Sequence, residues 1–270
     1  DIKPEALGQK IRDFGAQLVG LTSTTPTILE ARAIAHAIKA TYDVPIIIGG
    51  AHVTVVGEHL LQQHNVFDFA AMGEAEITLS EFVRALESGT DLADVDGILY
   101  RDGDTIVRTL PRALVANLDD LPFPARQLIR NDLYLWAPPG KEATAMAGFL
   151  TKRGCPYKCS FCSQDQVFTR DVRYRSVENV LLEMEWVNKS LGIDHIHIFD
   201  DTLVLDRARA IEIAQGILDR GLNFTWEGMA RANLVDPELL DIQNRAGLTR
   251  MSFGIETGNA EILKNIYKNV

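Results

Sequence analysis

The sequence predicts an α/β fold in two parts, a doubly wound, Rossmann-like domain followed by part of a barrel of βα units. Two observations predict it. Short apolar runs of strand length alternate with longer segments of helical apolar spacing in both halves of the 270 residues. A proline-punctuated stretch at residues 118–124 interrupts this alternation near the middle of the chain.

The first half predicts three strands, each followed by a helix. The strands are apolar runs at residues 17–22, 44–48 and 67–71, and the helices lie at residues 28–40, 58–64 and 75–86. A helix at residues 5–14 precedes the first strand, whereas a doubly wound domain normally begins with a strand. We therefore expect one βα unit upstream of this sequence. An Asp-Gly turn between residues 97–100 and 105–108 predicts a β-hairpin.

The second half predicts four successive βα units, about half of an eight-unit barrel. The strands are at residues 145–152, 195–199, 224–229 and 250–255, and the helices at residues 179–191, 207–219, 236–245 and 260–268. A Pro-Pro-Gly break lies at residues 138–140. We expect a first domain at residues 1–110, a linker at residues 111–140 and a second domain at residues 141–270.

The composition argues against a nucleic-acid-binding protein and a membrane-spanning one, and it indicates a metal or redox site. The formal net charge of −10 argues against a nucleic-acid-binding surface, which is normally basic. The sequence contains no run of about 18 apolar residues, so we expect no transmembrane helix. The three cysteines fall within eight residues, which is a poor disulfide framework and indicates a metal or redox site in a reducing compartment. We expect a cytoplasmic protein.

The cysteine loop is the most specific feature of the sequence. Cys155, Cys159 and Cys162 have the spacing C-x3-C-x2-C on a Gly- and Pro-containing loop. Thiolates bind soft metals, and iron–sulfur clusters usually take four cysteines. Three cysteines without a fourth leave one iron open to a substrate or cofactor. A structural zinc site is the main alternative, but His195 and His197 lie on a different predicted strand, where packing and hydrogen bonding explain them.

The segment at residues 153–162, Arg-Gly-Cys-Pro-Tyr-Lys-Cys-Ser-Phe-Cys, resembles the signature of the radical S-adenosylmethionine superfamily. The resemblance covers roughly residue 145 to the end, where the family barrel normally has six βα units. It implies that the three cysteines hold a 4Fe–4S cluster whose fourth iron is chelated by S-adenosylmethionine. It also implies reductive cleavage to a 5′-deoxyadenosyl radical, with Phe161 beside the adenine.

Polar residues at the predicted strand ends are further candidates for binding S-adenosylmethionine, since a barrel collects its functional residues there. Asp200 ends the second strand, although helix capping explains it equally well. Glu227 and Arg231 end the third, and a guanidinium suits the cofactor carboxylate, the alternative being a surface ion pair. Ser252 and Glu256 end the fourth, in a segment that resembles the family motif contacting the ribose and methionyl groups.

Three loops at strand ends in the first half carry small polar residues, as doubly wound sheets do where they bind ligands. They contain Ser23, Thr24 and Thr25; Gly49, Gly50, His52 and Thr54; and Gly73 and Glu74. Ordinary turns and helix caps explain them about as well. However, the loops resemble the cobalamin-binding domain found ahead of the barrel in cobalamin-dependent radical enzymes. The D-x-H-x-x-G motif that supplies a histidine to cobalt in mutases is absent.

The resemblance therefore implies a cobalamin-dependent radical enzyme that methylates an unactivated carbon of a small molecule and takes electrons from an external donor such as flavodoxin or ferredoxin. A radical cyclase or rearranging enzyme of the same subgroup, similar to the anaerobic Mg-protoporphyrin ester cyclase, is the alternative. A radical methylthiotransferase would need a second cysteine trio, and no cysteine precedes Cys155. A non-catalytic module that binds metal or cobalamin is the remaining alternative.

Overall fold

The computed structural model describes residues 4–137 and 142–268, which form two compact units that divide between Val115 and Ala116. The predicted break at residues 138–140 lies outside the described residues. Within the described ranges, no helix is both long and apolar enough to cross a membrane.

The first unit is built on a five-stranded sheet whose spatial order follows the chain. Its strands are β1 (Val19–Thr22), β2 (Ile46–Gly49), β3 (Phe69–Ala71), β4 (Ile98–Asp102) and β5 (Thr105–Arg108). The first three are parallel, and β4 and β5 add an antiparallel hairpin. Gly103 in the hairpin turn has φ +59°, a conformation that glycine adopts without strain.

Helices cover both faces of this sheet, as a doubly wound fold requires. They are α1 (Pro4–Phe14), α2 (Ile28–Thr41), α3 (Ala51–Val56), α4 (Glu58–Gln63) and α5 (Glu76–Ser88). Alternation along β2 sends Ile46 and Ile48 into a core with α2 and α4, whereas Ile47 packs with Phe82 of α5 on the opposite face.

The second unit is built on four parallel strands and an antiparallel edge strand, in the order β12-β11-β10-β7-β6. They are β6 (Leu135–Trp136), β7 (Thr144–Phe149), β10 (His195–Ile198), β11 (Thr225–Ala230) and β12 (Leu248–Phe253), and a separate small sheet pairs β8 (Lys152–Arg153) with β9 (Arg173–Tyr174). The helices are α6 (Gln164–Val167), α7 (Val177–Leu191), α8 (Arg207–Asp219), α9 (Pro237–Arg245) and α10 (Ala260–Asn265).

One face of this parallel sheet packs against the helices, and the other carries polar side chains. Ile196, Ile198 and Trp226 are buried in a core with α7 and α8. Because neighbouring residues of a strand point to opposite faces, His195 and His197 lie on the other face. Four parallel strands, joined in succession by three helices that pack in the core, are the partial barrel that the sequence predicts.

The predicted fold class is confirmed, but several element boundaries were wrong. Residues 51–56 form the helix α3 where a polar loop was expected, because Gly50 takes φ +101° and lets a helix begin directly after β2. The strand expected at residues 145–152 ends at Phe149, and the backbone N–H of Thr151 donates to Asp200 instead of to a neighbouring strand. The last helix ends at Asn265, shortly before Tyr267 adopts φ +55°.

Candidate functional site

The cysteine loop leaves β8 through a tight turn at Gly154. Gly154 has φ +89°, and a Cβ at this position would lie 2.2 Å from the carbonyl oxygen of Asp171. Only glycine fits both the backbone angle and this close approach. Cys155 and Cys159 are partly buried, Cys162 is exposed, and all three are free of disulfides.

Backbone hydrogen bonds hold the loop in place from two sides. The N–H of Cys155 donates to the carbonyl of Thr169 at 3.3 Å, and the N–H of Cys162 donates to the carbonyl of Cys159 at 3.1 Å. The N–H of Ser160 donates to the carbonyl of Ile266, just past α10, at 3.0 Å. The protein therefore positions the thiols by main-chain contacts of its own.

The donor set fits an iron–sulfur cluster. A 4Fe–4S cluster binds each thiolate to a different iron. Three free thiols on one loop, shaped by Gly154, supply three such ligands.

Arg231 reaches the cysteine loop from the end of β11. Its Nη1 lies 3.7 Å from the Sγ of Cys159, and its guanidinium carbon lies 3.8 Å from the centre of the Tyr157 ring. The side chain is buried, so its charge acts on the nearby sulfur with little screening by solvent. The structure thus brings this predicted residue to the cysteines, and it adds Tyr157, which sequence reasoning had left without a role.

Glu256 and Phe161 are brought together by Lys268, which sequence reasoning missed. The Nζ of Lys268 lies 2.5 Å from the Oε1 of Glu256 and 5.7 Å from the centre of the Phe161 ring. Glu256 has φ +60°, an uncommon conformation for a residue with a side chain. Ser252 lies opposite Met229 in the register of β12 with β11. A lysine so far from the motif gives no signal in the sequence.

Asp200 is buried and bonded to the strand end that leads to the cysteines. Its Oδ1 accepts from the N–H of Thr151 at 2.7 Å, and its Oδ2 accepts from the Thr151 hydroxyl at 2.5 Å. Burial raises the pKa of this carboxyl, whereas the Thr151 hydrogen bonds and the charge of Lys152 act to lower it. Both oxygens of Asp200 are thus engaged by protein groups.

Glu227 belongs to a row of side chains on the polar face of the sheet. Its Oε1 lies 2.6 Å from the Nδ1 of His197, and its Oε2 lies 3.5 Å from the Nε of Arg250. In the strand register these residues lie side by side on β10, β11 and β12. The carboxylate is buried between two nitrogen groups, whereas Arg231 of the same predicted site lies past the end of β11 beside Cys159.

The two histidines on the polar face have structural partners, as the sequence predicted. The Nδ1 of His195 lies 2.8 Å from the Thr225 hydroxyl, and its ring stacks on Trp136 with centroids 3.8 Å apart. Burial lowers the pKa of His195. The ring of His197 stacks on Phe199.

In the first unit, the three predicted loops meet at one end of the sheet. The N–H of Ser23 donates to the carbonyl of Gly49 at 3.0 Å, and the N–H of His52 donates to the carbonyl of Ser23 at 3.3 Å. The hydroxyl of Thr54 donates to the carbonyl of Gly50 at 3.1 Å and accepts from the N–H of Gly73 at 2.9 Å.

The loops at this sheet end pack closely and leave one buried hydroxyl without a partner among the described residues. The Ser23 hydroxyl is buried and has no hydrogen-bond partner among the described residues, which is a feature that a ligand could satisfy. A Cβ on Gly50 would lie 2.6 Å from the carbonyl oxygen of Ser23, so this glycine allows two loops to approach closely. Thr25 and His52 are joined at 3.1 Å between Oγ1 and Nδ1, Thr24 starts a turn that ends at Thr27, and Glu74 is buried.

Comparison with known proteins finds a family match for each half of the chain. A model described as a B12 binding domain matches residues 1–83, and one described as the radical SAM superfamily matches residues 150–269. An uncharacterized methyltransferase of Pyrococcus horikoshii is 31% identical over all of this chain and 58% of its own length. The anaerobic magnesium-protoporphyrin IX monomethyl ester cyclase of Rubrivivax gelatinosus is 30% identical over 95% of this chain and 46% of its own length.

Solved structures agree on the fold. The cobalamin-dependent S-adenosylmethionine radical enzyme OxsB covers 99% of this chain with a TM-score of 0.81 at 21% identity, over 39% of its own chain. The radical S-adenosylmethionine methyltransferase TsrM of Kitasatospora setae covers 95% of this chain with a TM-score of 0.74 at 21% identity, over 52% of its own chain. The chain thus spans about half the length of these proteins and of the relatives above.

Proposed function

Because the chain belongs to the radical S-adenosylmethionine superfamily, in the subgroup with a B12-binding domain, we propose that it is part of a cobalamin-dependent radical methyltransferase. Its substrate would be a small molecule with an unactivated carbon. The observation that carries the proposal is the pairing of a three-cysteine loop with a sheet end whose buried Ser23 hydroxyl lacks a partner among the described residues. A methyltransferase relative that matches the full length of this chain supports it.

The protein residues have separable roles in this proposal. Cys155, Cys159 and Cys162 would ligate three irons of a 4Fe–4S cluster, and Arg231 would stabilise negative charge on the Cys159 sulfur. Bound together, the cluster and cobalamin would supply an electron for cleaving S-adenosylmethionine and a carrier for the methyl group. Glu256 would accept from the cofactor hydroxyls once Lys268 releases it.

The remaining residues predicted to contact S-adenosylmethionine differ in how open they are to a ligand. Phe161 is exposed beside Lys268, which leaves its ring open to an adenine. Ser252 lies on the polar face of the sheet, near the end of its strand. Both oxygens of Asp200 accept from Thr151, so binding through Asp200 would require those bonds to open. Glu227 pairs with His197 through Oε1, whereas its buried Oε2 has no hydrogen-bond partner among the described residues and could accept from a ligand.

The first unit would bind cobalamin at the end of its parallel strands. Ser23, Gly50 and Thr54, which lie on loops hydrogen-bonded to one another, would line the site, and Thr25 would orient His52 through its Nδ1. Thr24, Gly49, Gly73 and Glu74 complete the predicted set. We propose a cytoplasmic protein that takes single electrons from flavodoxin or ferredoxin, because free clustered thiols and a cluster need a reducing compartment. The net charge of −10 supports a protein without a nucleic-acid partner.

Anaerobic reconstitution with iron and sulfide tests the proposal directly. We expect about four irons per chain and a broad visible absorbance band. Addition of S-adenosylmethionine and dithionite should then yield 5′-deoxyadenosine. The variant Cys159→Ala should lose both signals. The matched control Ser160→Ala should keep them, because the side chain of Ser160 is exposed and its contact with Ile266 is made by the backbone N–H. A colourless protein that carries zinc would refute the radical function.

A cyclase of the same subgroup is the second candidate, because cyclase relatives match nearly the whole chain at 30% identity. Methionine labelled in its methyl group separates the two functions. A methyltransferase places the label in the product, whereas a cyclase yields a product without it.

A further inference from the structure

Two buried charges of opposite sign lie at the strand end that enters the cysteine loop. The side chain of Lys152 is 2% exposed and that of Asp200 is 1% exposed. Burial of a charge is unfavourable unless partners compensate for it. The partners of these two side chains therefore show what the protein gains by burying them here.

Asp200 ties two neighbouring strand ends together. It follows β10, and its carboxylate accepts from the N–H and hydroxyl of Thr151, which follows β7. A longer contact of 3.4 Å joins its Oδ1 to the N–H of Lys152. The chain after β7 thus donates three hydrogen bonds to one carboxylate.

Lys152 connects the segment held by Asp200 to the start of the cysteine loop. Its Nζ donates to the carbonyl of Gly154 at 3.1 Å, so the ammonium group lies beside the peptide that precedes Cys155. Gly154 takes φ +89° in a tight turn, where a Cβ would lie 2.2 Å from the carbonyl oxygen of Asp171. The direction in which the chain enters Cys155 is therefore set by a charged side chain three residues earlier.

Other charged groups surround the pair. Arg209 donates to the carbonyl and hydroxyl of Thr151 at 3.1 and 3.2 Å and faces Asp200. Asp201 faces Lys152, and burial raises the pKa of Asp201. Asp206 and Arg175 also face Arg209, so charges of both signs surround the pair, and removal of one of them changes the local charge near the cysteine loop.

We propose that Lys152 and Asp200 are positioning residues for the proposed cluster, and that their opposite charges help to set the potential at which it is reduced. The inference rests on the proposed function, since it requires a cluster on this loop. A nearby cation stabilises the added electron and a nearby carboxylate opposes it, because cluster potentials follow local charge and hydrogen bonding.

Three variants distinguish the role of these side chains in positioning the loop from the effect of their charge on the cluster. Lys152→Met keeps the stem and removes the ammonium. Asp200→Asn keeps the shape but cannot accept from both Thr151 donors. Asp201→Asn removes the same charge as Asp200→Asn but leaves the two Thr151 hydrogen bonds to Asp200 in place. Lys189→Met, on the exposed side of α7, is the matched control for a lost ammonium.

Each reconstituted 270-residue variant is poised at the potential where half of the parent cluster is reduced, and the reduced fraction is read by electron paramagnetic resonance. We expect the ratio of reduced to oxidised cluster to fall about threefold in Lys152→Met and to rise about threefold in Asp200→Asn. Asp200→Asn should also retain less iron, whereas Asp201→Asn should keep the parent iron content and shift the ratio upwards. Lys189→Met should match the parent.

Equal ratios and iron contents in the parent, Lys152→Met and Asp200→Asn would overturn the inference while the proposed function stands. A shift of both variants in the same direction would also overturn it, because a general structural disturbance does not follow the sign of the charge. A parent chain that binds no cluster would refute the proposed function and this inference together. If Asp200→Asn does not fold, the ratio in Lys152→Met decides.

Discussion

Glu183 is a buried carboxylate of the second unit that pairs with two arginines. Its carboxylate pairs with Arg126 and lies 2.5 Å from Arg175, and the side chains of all three are largely shielded from solvent. Arg126 also donates to the carbonyl of Gly148 at 2.5 Å, so the group joins the linker, α7 and β7. Two guanidinium groups depend on one carboxylate, which makes this residue hard to replace.

We expect Glu183→Gln to lower the free energy of unfolding of the second unit by about 3–5 kcal/mol, because it leaves two buried cations without their anion. Urea denaturation followed by tryptophan fluorescence measures this, since Trp136, Trp186 and Trp226 all belong to the second unit. Glu185→Gln on the same helix is the control. Its partners Lys189 and Arg220 are nearer to solvent, and a midpoint as low as that of Glu183→Gln would contradict the prediction.

His195 makes the stability of the second unit depend on pH. Burial lowers its pKa from the ordinary value of 6.5, so below that value the unfolded chain binds a proton more readily than the folded unit does. The unfolding free energy should therefore fall as the pH drops from about 7.5 to about 5.5. The variant His195→Gln does not titrate and should show a smaller fall by tryptophan fluorescence. Equal slopes for the two proteins would rule out this role of His195.

At the scale of elements, α7 shows how a local sequence signal and tertiary contacts combine. The Ser176 hydroxyl accepts from the N–H of Asn179 and caps the helix, which ends at Gly192 with φ +64°. The Ser176 N–H donates to Asp119 in the linker at 2.9 Å. The serine was not singled out from the sequence, although the helix itself was predicted within two residues of its start.

Ser176→Ala should lower the unfolding free energy of the second unit by about 1 kcal/mol, since it leaves an N–H of the first turn without its acceptor. Ser190→Ala, an equal chemical change at an exposed position near the end of the same helix, should have a smaller effect. Chemical denaturation followed by tryptophan fluorescence compares them. If both variants unfold at the same midpoint, the cap does not contribute.

Element boundaries were harder to predict than element types. The helix α3 was missed because its six residues follow Gly50 directly and contain Val53, Val55 and Val56, which are poor helix formers. The edge strand β6 was missed because its two residues lie in the linker, where no alternation is long enough to read. Short elements depend on neighbours in space, and periodicity within them is too brief to predict them.

At the scale of the whole molecule, the two proposed cofactor sites lie in separate units, so a change in one should leave the other intact. Gly50→Ala forces a Cβ against the Ser23 carbonyl at an unfavourable φ and should weaken hydroxocobalamin binding about tenfold. Its iron content after reconstitution should equal that of the parent. Cys159→Ala should show the converse, with cobalamin bound and iron lost.

Equilibrium dialysis with hydroxocobalamin and iron analysis measure both sites in the same preparations. Gly20→Ala on β1 is the matched control, because a Cβ there meets no atom within 4 Å. Loss of cobalamin binding in Gly20→Ala to the same extent would show that the effect of Gly50→Ala is not local to the loops at the sheet end.

The sequence by itself determined the α/β class, the two-part order and the cysteine loop, because apolar periodicity and a motif of fixed spacing are properties of the chain alone. Only the tertiary structure decided how the polar residues at the strand ends divide. Three polar residues lie on or just after neighbouring strands, and each has a different partner. Asp200 bonds to Thr151, Glu227 pairs with His197 and Arg231 reaches Cys159. The partner of a buried charge depends on which groups the folded chain places within hydrogen-bond distance, and spacing along the sequence does not specify this.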